Sequence, residues 1–514
     1  MNTSTSVVPF IKKQLYALTA NPHSPSGRSA LGEVRDNTLI HGQEIIRSNG
    51  KAYSIVRTTG NPYALPVGNN AFESRLRASY KDRVGKNPTK FQMSEMLSDI
   101  RAHSEGLNKD VPTFARVAKI PGGVVIDLGD ECYTQVKITA GNVEFIDRDS
   151  DVLFYRSAFS KPMPETRFSV CKDVCRLMPY VNLGALEFRM LIGWLTYTLA
   201  HPKVDDTDFV FLTLLGGQGS GKSMLSKICK DLIDPSVINA QVFPKNVTDL
   251  AISTEGSHVV CFDNMRSITD SMSDILCTVS TGARSASRKL FSDGDQYAIN
   301  LHGSVIFNGI HPFVTQPDLA QRCLTFSLEP LKAEQRIHKG DMLVQLGRDM
   351  PAIQHSLFNK IAEISLFIES AEVIFPERMM GFCRWLAAME SADNVVPGTY
   401  QETYSKMLRE GQLEALLENS LAAALLDFVD SLEEDEYGAE KEWSGTPRKL
   451  LEQLDFQRTS SPRRSSDWPD NEIAMARRLP GIVQALESQG VRLQLGARGR
   501  ERRITITQIA NLRK

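Results

Sequence analysis

The stretch Phe209–Leu215 reads FVFLTLL and runs directly into Gly216-Gly217-Gln218-Gly219-Ser220-Gly221-Lys222-Ser223, after which Met224–Ile233 takes up helical spacing. A continuous apolar run has no solvent-facing side, which predicts a central strand buried on both faces of a parallel sheet. The loop that follows has the form G-x-x-x-x-G-K-S, and each of its parts has a chemical purpose. Glycines let backbone N–H groups turn inward around phosphate oxygens with no Cβ in the way. The helix N-terminus adds its positive end. Lys222 is expected to reach the β- and γ-phosphates, and the Ser223 hydroxyl to ligate Mg²⁺. Gly216, Gly217, Gln218, Gly219, Ser220, Gly221, Lys222 and Ser223 therefore form the candidate binding set for ATP and Mg²⁺.

Two further strands should bring polar residues to the same place. His258-Val259-Val260-Cys261-Phe262-Asp263 is an apolar run ending in a carboxylate 41 residues after Lys222. Asp263 is expected to hold the Mg²⁺ through water, facing Ser223. Gly303-Ser304-Val305-Ile306-Phe307-Asn308-Gly309 ends in an amide suited to orienting water or sensing the γ-phosphate. Asp318-Leu319-Ala320-Gln321-Arg322 ends 14 residues beyond Asn308, a position for an arginine that stabilises transferring phosphate across a subunit boundary. Lys222, Asp263, Asn308 and Arg322 are thus the candidate catalytic residues. Between the second and third strands lies Thr281-Gly282-Ala283-Arg284-Ser285-Ala286-Ser287-Arg288-Lys289. Its cations serve either a DNA-facing loop or further phosphate contacts.

The chain has 514 residues, more than one hydrophobic core usually serves. Its 42% hydrophobic and 23% charged residues exclude a largely disordered chain. A formal net charge of −2 means that any nucleic-acid surface has to be local. The patterns predict an N-terminal α+β accessory domain over 1–165, an α/β core over 170–332 and a helical region over 333–428. An acidic linker over 429–443 follows, then a basic winged-helix-like domain over 444–514. That last region has fourteen Lys/Arg against seven Asp/Glu, with helices over Thr446–Leu454 and Asn471–Gln489 and strands over Val491–Leu495 and Arg503–Thr507. The turn between those strands holds Arg498, Arg500 and Arg502, with Arg503 opening the last strand, as expected of a wing that contacts phosphates. These four, with Arg284 and Arg288, are the candidate DNA-binding residues. Neither a signal peptide nor a membrane span is evident, so a cytoplasmic protein is expected.

The order strand–GxxxxGKS, strand–Asp, strand–Asn and Asp-Leu-x-x-Arg resembles the AAA+ ATPases. More narrowly it is similar to superfamily 3-like replicative helicases and primase-associated ATPases of phages, plasmids and integrated mobile elements. The likeness covers residues 170–330 well and 440–510 loosely. It implies a ring, often a hexamer, with ATP at subunit interfaces and single-stranded DNA in a central channel. By the same resemblance Lys222, Ser223 and Asp263 act within one subunit, Asn308 senses the γ-phosphate and Arg322 acts across the interface. Asn264 is a departure: many such ATPases carry Glu directly after the metal-associated Asp. Asp293 or Asp295 is the available substitute, or else hydrolysis is slow. The leading expectation is a DNA-dependent ATPase, a replicative helicase or replication initiator of a phage or mobile element. The alternative is a nucleotide-gated regulatory or scaffold ATPase, for example in phage defence, without unwinding activity.

Overall fold

A computed structural model describes residues 39–288, 296–332, 338–432, 441–458, 468–496 and 503–509. The chain divides into two compact units. The first takes in residues 1–167 with the short stretches 199–203 and 234–237, and the second takes in the remainder.

In the first unit, β1 (Leu39–Ile40), β2 (Gln43–Ser48), β3 (Lys51–Val56) and β4 (Tyr63–Pro66) form an antiparallel sheet in chain order. Helices α1 (Asn70–Val84) and α2 (Lys90–Glu105) follow. The side chain of Asn69 caps the first by accepting from the Phe72 amide, and Thr89 and Gln92 form a reciprocal capping box on the second. Their apolar stripes, Phe72, Leu76, Met93, Met96 and Ile100, close over Ile45 of the sheet. Beyond β5 (Thr113–Phe114), a second antiparallel sheet runs β6 (Val117–Ile120), β7 (Gly123–Asp127), β8 (Gln135–Thr139) and β9 (Asn142–Ile146). The short β10 (Leu153–Phe154) pairs back with β5 in parallel. Arg116 is buried with φ of 63°; its guanidinium meets the Asp234 carboxylate at 3.0 Å and donates to the carbonyls of Asp127 and Lys161. A buried guanidinium without such partners would be strongly destabilising.

The second unit contains the largely apolar helix α3 (Ala185–Ala200), which carries only Glu187 and Arg189 as charges, and is organised by a parallel sheet. Its strands are β11 (Phe211–Gly216), β12 (Val259–Met265), β15 (Ser304–Gly309) and β16 (Cys323–Leu328), in spatial order β12-β15-β11-β16. Helix α4 (Lys222–Ile233) follows β11, and α5 (Val247–Glu255) and α6 (Asp270–Thr281) flank β12. The register sets Leu214 beside Asn308 and Phe262 beside Phe307. Phe211, Phe262, Phe307 and Phe313 are buried together at the centre of the core. Between α6 and β15 the backbone makes an antiparallel hairpin of β13 (Ala283–Arg288) and β14 (Gln296–Leu301), registered residue for residue.

After the short α7 (Pro317–Ala320), the stretch expected to be helical resolves into α8 (Lys339–Ser365), α9 (Met380–Asp393), α10 (Thr399–Glu418) and α11 (Ser420–Ser431). The C-terminal part packs α11 with α12 (Pro447–Arg458), α13 (Glu472–Arg478) and α14 (Val483–Ser488) around its own core of Leu425, Leu450, Leu454, Met475, Leu486 and Ile504. The single helix expected over 471–489 is broken at Leu479–Gly481, because Pro480 can neither donate to the preceding turn nor tolerate its carbonyl. Strands β18 (Val491–Leu495) and β19 (Ile504–Gln508) form the expected hairpin, and β17 (Glu442–Gly445), drawn from the expected acidic linker, completes a three-stranded sheet. No helix among the described residues is long and apolar enough to cross a membrane.

Candidate functional site

Strand β11 is flanked by β15 on one side and β16 on the other, so the chain leaves it in one direction for β12 and returns on the opposite side. In an open parallel sheet such a reversal leaves a crevice at the carboxyl ends of the strands, where ligands bind. The glycine loop sits there. Gly216, Gly219 and Gly221 have φ of 146°, 76° and 90°. At Gly216 a Cβ would stand 2.3 Å from the backbone oxygen of Leu328, so this position excludes every side chain whether or not a phosphate approaches.

The loop is held from two directions that sequence spacing does not disclose. Asn182 Nδ2 donates to the carbonyl oxygens of Ser220 at 3.3 Å and Glu329 at 2.7 Å, and the Leu331 amide donates to Gly219 O at 3.2 Å. Lys222 Nζ donates to the carbonyls of Gly216 at 2.5 Å and Gly217 at 2.8 Å. Burial lowers the Lys222 ammonium from its ordinary range, and the Asp263 carboxylate acts in the opposite direction. Phosphate oxygens arriving at the loop would favour the charged form of that ammonium.

Asn308, at the end of β15, is only 1% exposed. Its Nδ2 lies 3.4 Å from Ser223 Oγ, and its Oδ1 has no hydrogen-bond partner among the described residues. A buried amide oxygen left unpaired costs about 1–3 kcal/mol. The structure thus brings Lys222, Ser223, Asp263 and Asn308 to one end of the sheet, as their positions on three strands require. Asp263 Oδ1 accepts from the Asn264 amide at 2.8 Å, and Asn264 itself is left-handed with φ of 57°. Asn tolerates that conformation better than Glu does, which gives a backbone reason for the residue found there.

Arg322 is placed differently. Its side chain is 8% exposed, pairs with Asp318 at 3.7 Å, and leaves Nε without a partner. The partly exposed Arg378 pairs with the same Asp318. Action across a subunit boundary therefore requires Arg322 to exchange Asp318 for a phosphate. Arg284 and Arg288 lie on the backbone of β13, with their side chains outside what is described. Arg503 is exposed, and its carbonyl accepts from the Gly496 amide at 2.8 Å, closing the base of the C-terminal hairpin. Arg498, Arg500, Arg502, Asp293 and Asp295 lie outside the described residues.

Fold and site together define an α/β chain with a glycine loop at the switch point of a parallel sheet. Residues 174–407 match the model of the actinomycete integrative conjugative element replication protein, and residues 421–514 match the AICE RepA C-terminal domain. These two models of one family span more than half of the chain between them, and the chain belongs to that family: it is a replication protein of a mobile element. No curated protein matches. Among solved structures, the A form apo structure of the NrS-1 C-terminal region is 12% identical, with a TM-score of 0.36 over 91% of this chain and 97% of that one. An apo structure of the same region is 11% identical, with a TM-score of 0.35 over 92% and 99% of the two chains. Likenesses at this level carry no argument about the site.

Proposed function

We propose that this replication protein binds and hydrolyses ATP at the Gly216–Ser223 loop, and that it does so in dependence on DNA, as a ring-forming helicase or initiator. The observation that carries the reading is the convergence of Lys222, Ser223, Asp263 and Asn308 at the sheet's switch point, with the Asn308 Oδ1 buried and unpaired among the described residues. In this reading the loop amides and Lys222 bind the β- and γ-phosphates. Ser223 and Asp263 would hold Mg²⁺, which neutralises charge developing on the phosphates. Asn308 accepts from the attacking water and orients it towards the terminal phosphate, which would satisfy the oxygen now left without a partner. The site residues thus fit the nucleotide and the metal on this chain's own geometry.

A second reading is favoured by the turn at 263–264. Asp263 has one oxygen engaged by the Asn264 amide, and no carboxylate follows it. Slow hydrolysis would then make the nucleotide a switch for assembly rather than a fuel.

DNA contact is assigned to the β13–β14 hairpin, whose first strand carries Arg284 and Arg288, and to the C-terminal hairpin, where Arg503 directly precedes the second strand. Replacing Arg284 and Arg288 together by Ala should weaken single-stranded DNA binding uniformly across sequences. The slope of log affinity against log salt should flatten by about 1.4 if two phosphate contacts are lost. Fluorescence anisotropy at several salt concentrations measures this. An unchanged slope removes the hairpin from the interface.

A further inference from the structure

Beside the glycine loop, on its β16 side, is a cleft of about 420 Å³ that the phosphate-binding account leaves unused. This lies within the range of about 300–1,000 Å³ that small-molecule sites occupy. Its apolar walls are Leu215, Ile310, Pro312, Leu328 and Leu417, and Gly216 forms its edge towards the loop. Ile310 is 48% and Leu417 40% exposed, a large apolar surface left uncovered next to a polar site. The cleft's polar side is one-sided in its chemistry. It is lined by the acidic residues Glu414, on α10, and Glu329. Ser327, the hydroxyl among them, already donates to both oxygens of Glu414, at 3.1 and 3.5 Å. No described residue lining it brings a nitrogen-bearing side chain.

Resting on the reading that the loop binds a nucleoside triphosphate, we propose that this cleft receives the nucleobase, and that Glu414 selects bases carrying an exocyclic amine. Apolar walls suit the faces of an aromatic ring. A wall of acceptors needs a donor edge. Adenine, guanine and cytosine bring an amine, whereas uracil has a carbonyl oxygen in place of cytosine's amine and only its ring N3–H to donate. Burial pushes the Glu414 carboxyl up from its ordinary range, with the Ser327 bond acting against it, so a further donor would favour its charged form. An amine from a bound base supplies one. The nearby acid Glu410 pushes the Glu414 carboxyl further in the same direction by like-charge repulsion.

The comparison that bears on the amine is CTP against UTP, two nucleotides of the same size that exchange an exocyclic amine for a carbonyl at C4, with N3 changing from acceptor to donor beside it. Isothermal titration of the full chain with ATP, CTP, UTP and inorganic tripolyphosphate, each with Mg²⁺, should show CTP binding about tenfold tighter than UTP, since an unpaired buried polar group is costly. In Glu414→Gln the ratio should fall to within about threefold, because the amide offers a donor as well as an acceptor. Tripolyphosphate, which reaches only the loop, should bind the variant and the wild type alike, which also shows that the variant is folded. Equal binding of CTP and UTP by wild type, or a ratio that survives Glu414→Gln while ATP and tripolyphosphate still bind, overturns the base pocket and leaves the loop assignment standing. Failure of tripolyphosphate and ATP alike to bind wild type overturns both.

Discussion

Replacing Lys222 by Ala should weaken nucleotide binding and depress hydrolysis on the order of 10²–10³-fold, the scale set by removing one charge-stabilising donor from a preorganised site. The reason is geometric. Lys222 Nζ is anchored on the carbonyls of Gly216 and Gly217, directly under the loop, and its side chain is only partly exposed. No other lysine or arginine side chain is described among the loop's hydrogen-bond partners, so the charge has no substitute there. The two carbonyls it leaves can be met by water at the open loop, so the variant should unfold at nearly the wild-type temperature. Isothermal titration with Mg²⁺-ATP beside a thermal melt separates the two effects. Unaltered affinity in a folded variant would remove the loop from the account.

Phe307→Ala should destabilise the second unit by about 3–5 kcal/mol, the usual cost of emptying a large buried aromatic position. Phe307 is fully buried on β15 and packs against Phe211, Phe262 and Phe313 with ring centroids 5.8, 6.1 and 5.9 Å away, and against Phe243 at 6.2 Å. Those rings come from three strands of the sheet and from the segments beside it. A cavity there cannot be closed by moving one side chain. Asn308 is the next residue on the strand, so loosening β15 also loosens the amide that faces Ser223. Urea denaturation followed by tryptophan fluorescence should register the loss. A change below about 1 kcal/mol would mean that the sheet core repacks around the gap, against expectation for a densely packed interior.

The parts of the site that sequence made legible are those written locally. An apolar run, a glycine loop and a helix occupy consecutive residues, and β12 and β15 each end in a polar side chain after an apolar stretch. Their relative order along the chain left few ways to arrange them in a right-handed parallel sheet. What holds and extends the site was not legible, because it comes from far along the chain. Asn182 precedes the loop by a whole helix, and Glu414 follows it by nearly two hundred residues on α10. Neither stands in a pattern that marks it. The hairpin at 283–301 read as a loop because its first strand, Ala-Arg-Ser-Ala-Ser-Arg, has no apolar alternation. Strand β17 was hidden inside an acidic run, where Trp443 alone hinted at burial. For Arg322 the spacing suggested a role across a boundary, and the pairing with Asp318 is a part of its surroundings that spacing does not disclose.

The central claim is that nucleotide turnover at the Gly216–Ser223 loop is coupled to DNA. Steady-state ATP hydrolysis by the full chain, sized for its oligomeric state and assayed with and without single-stranded DNA, tests it most directly, with Lys222→Ala as the blank. Hydrolysis should rise with single-stranded DNA and disappear in the variant. Turnover that is slow and indifferent to DNA would contradict the claim, and would leave the nucleotide as a switch governed by the Asp263–Asn264 turn.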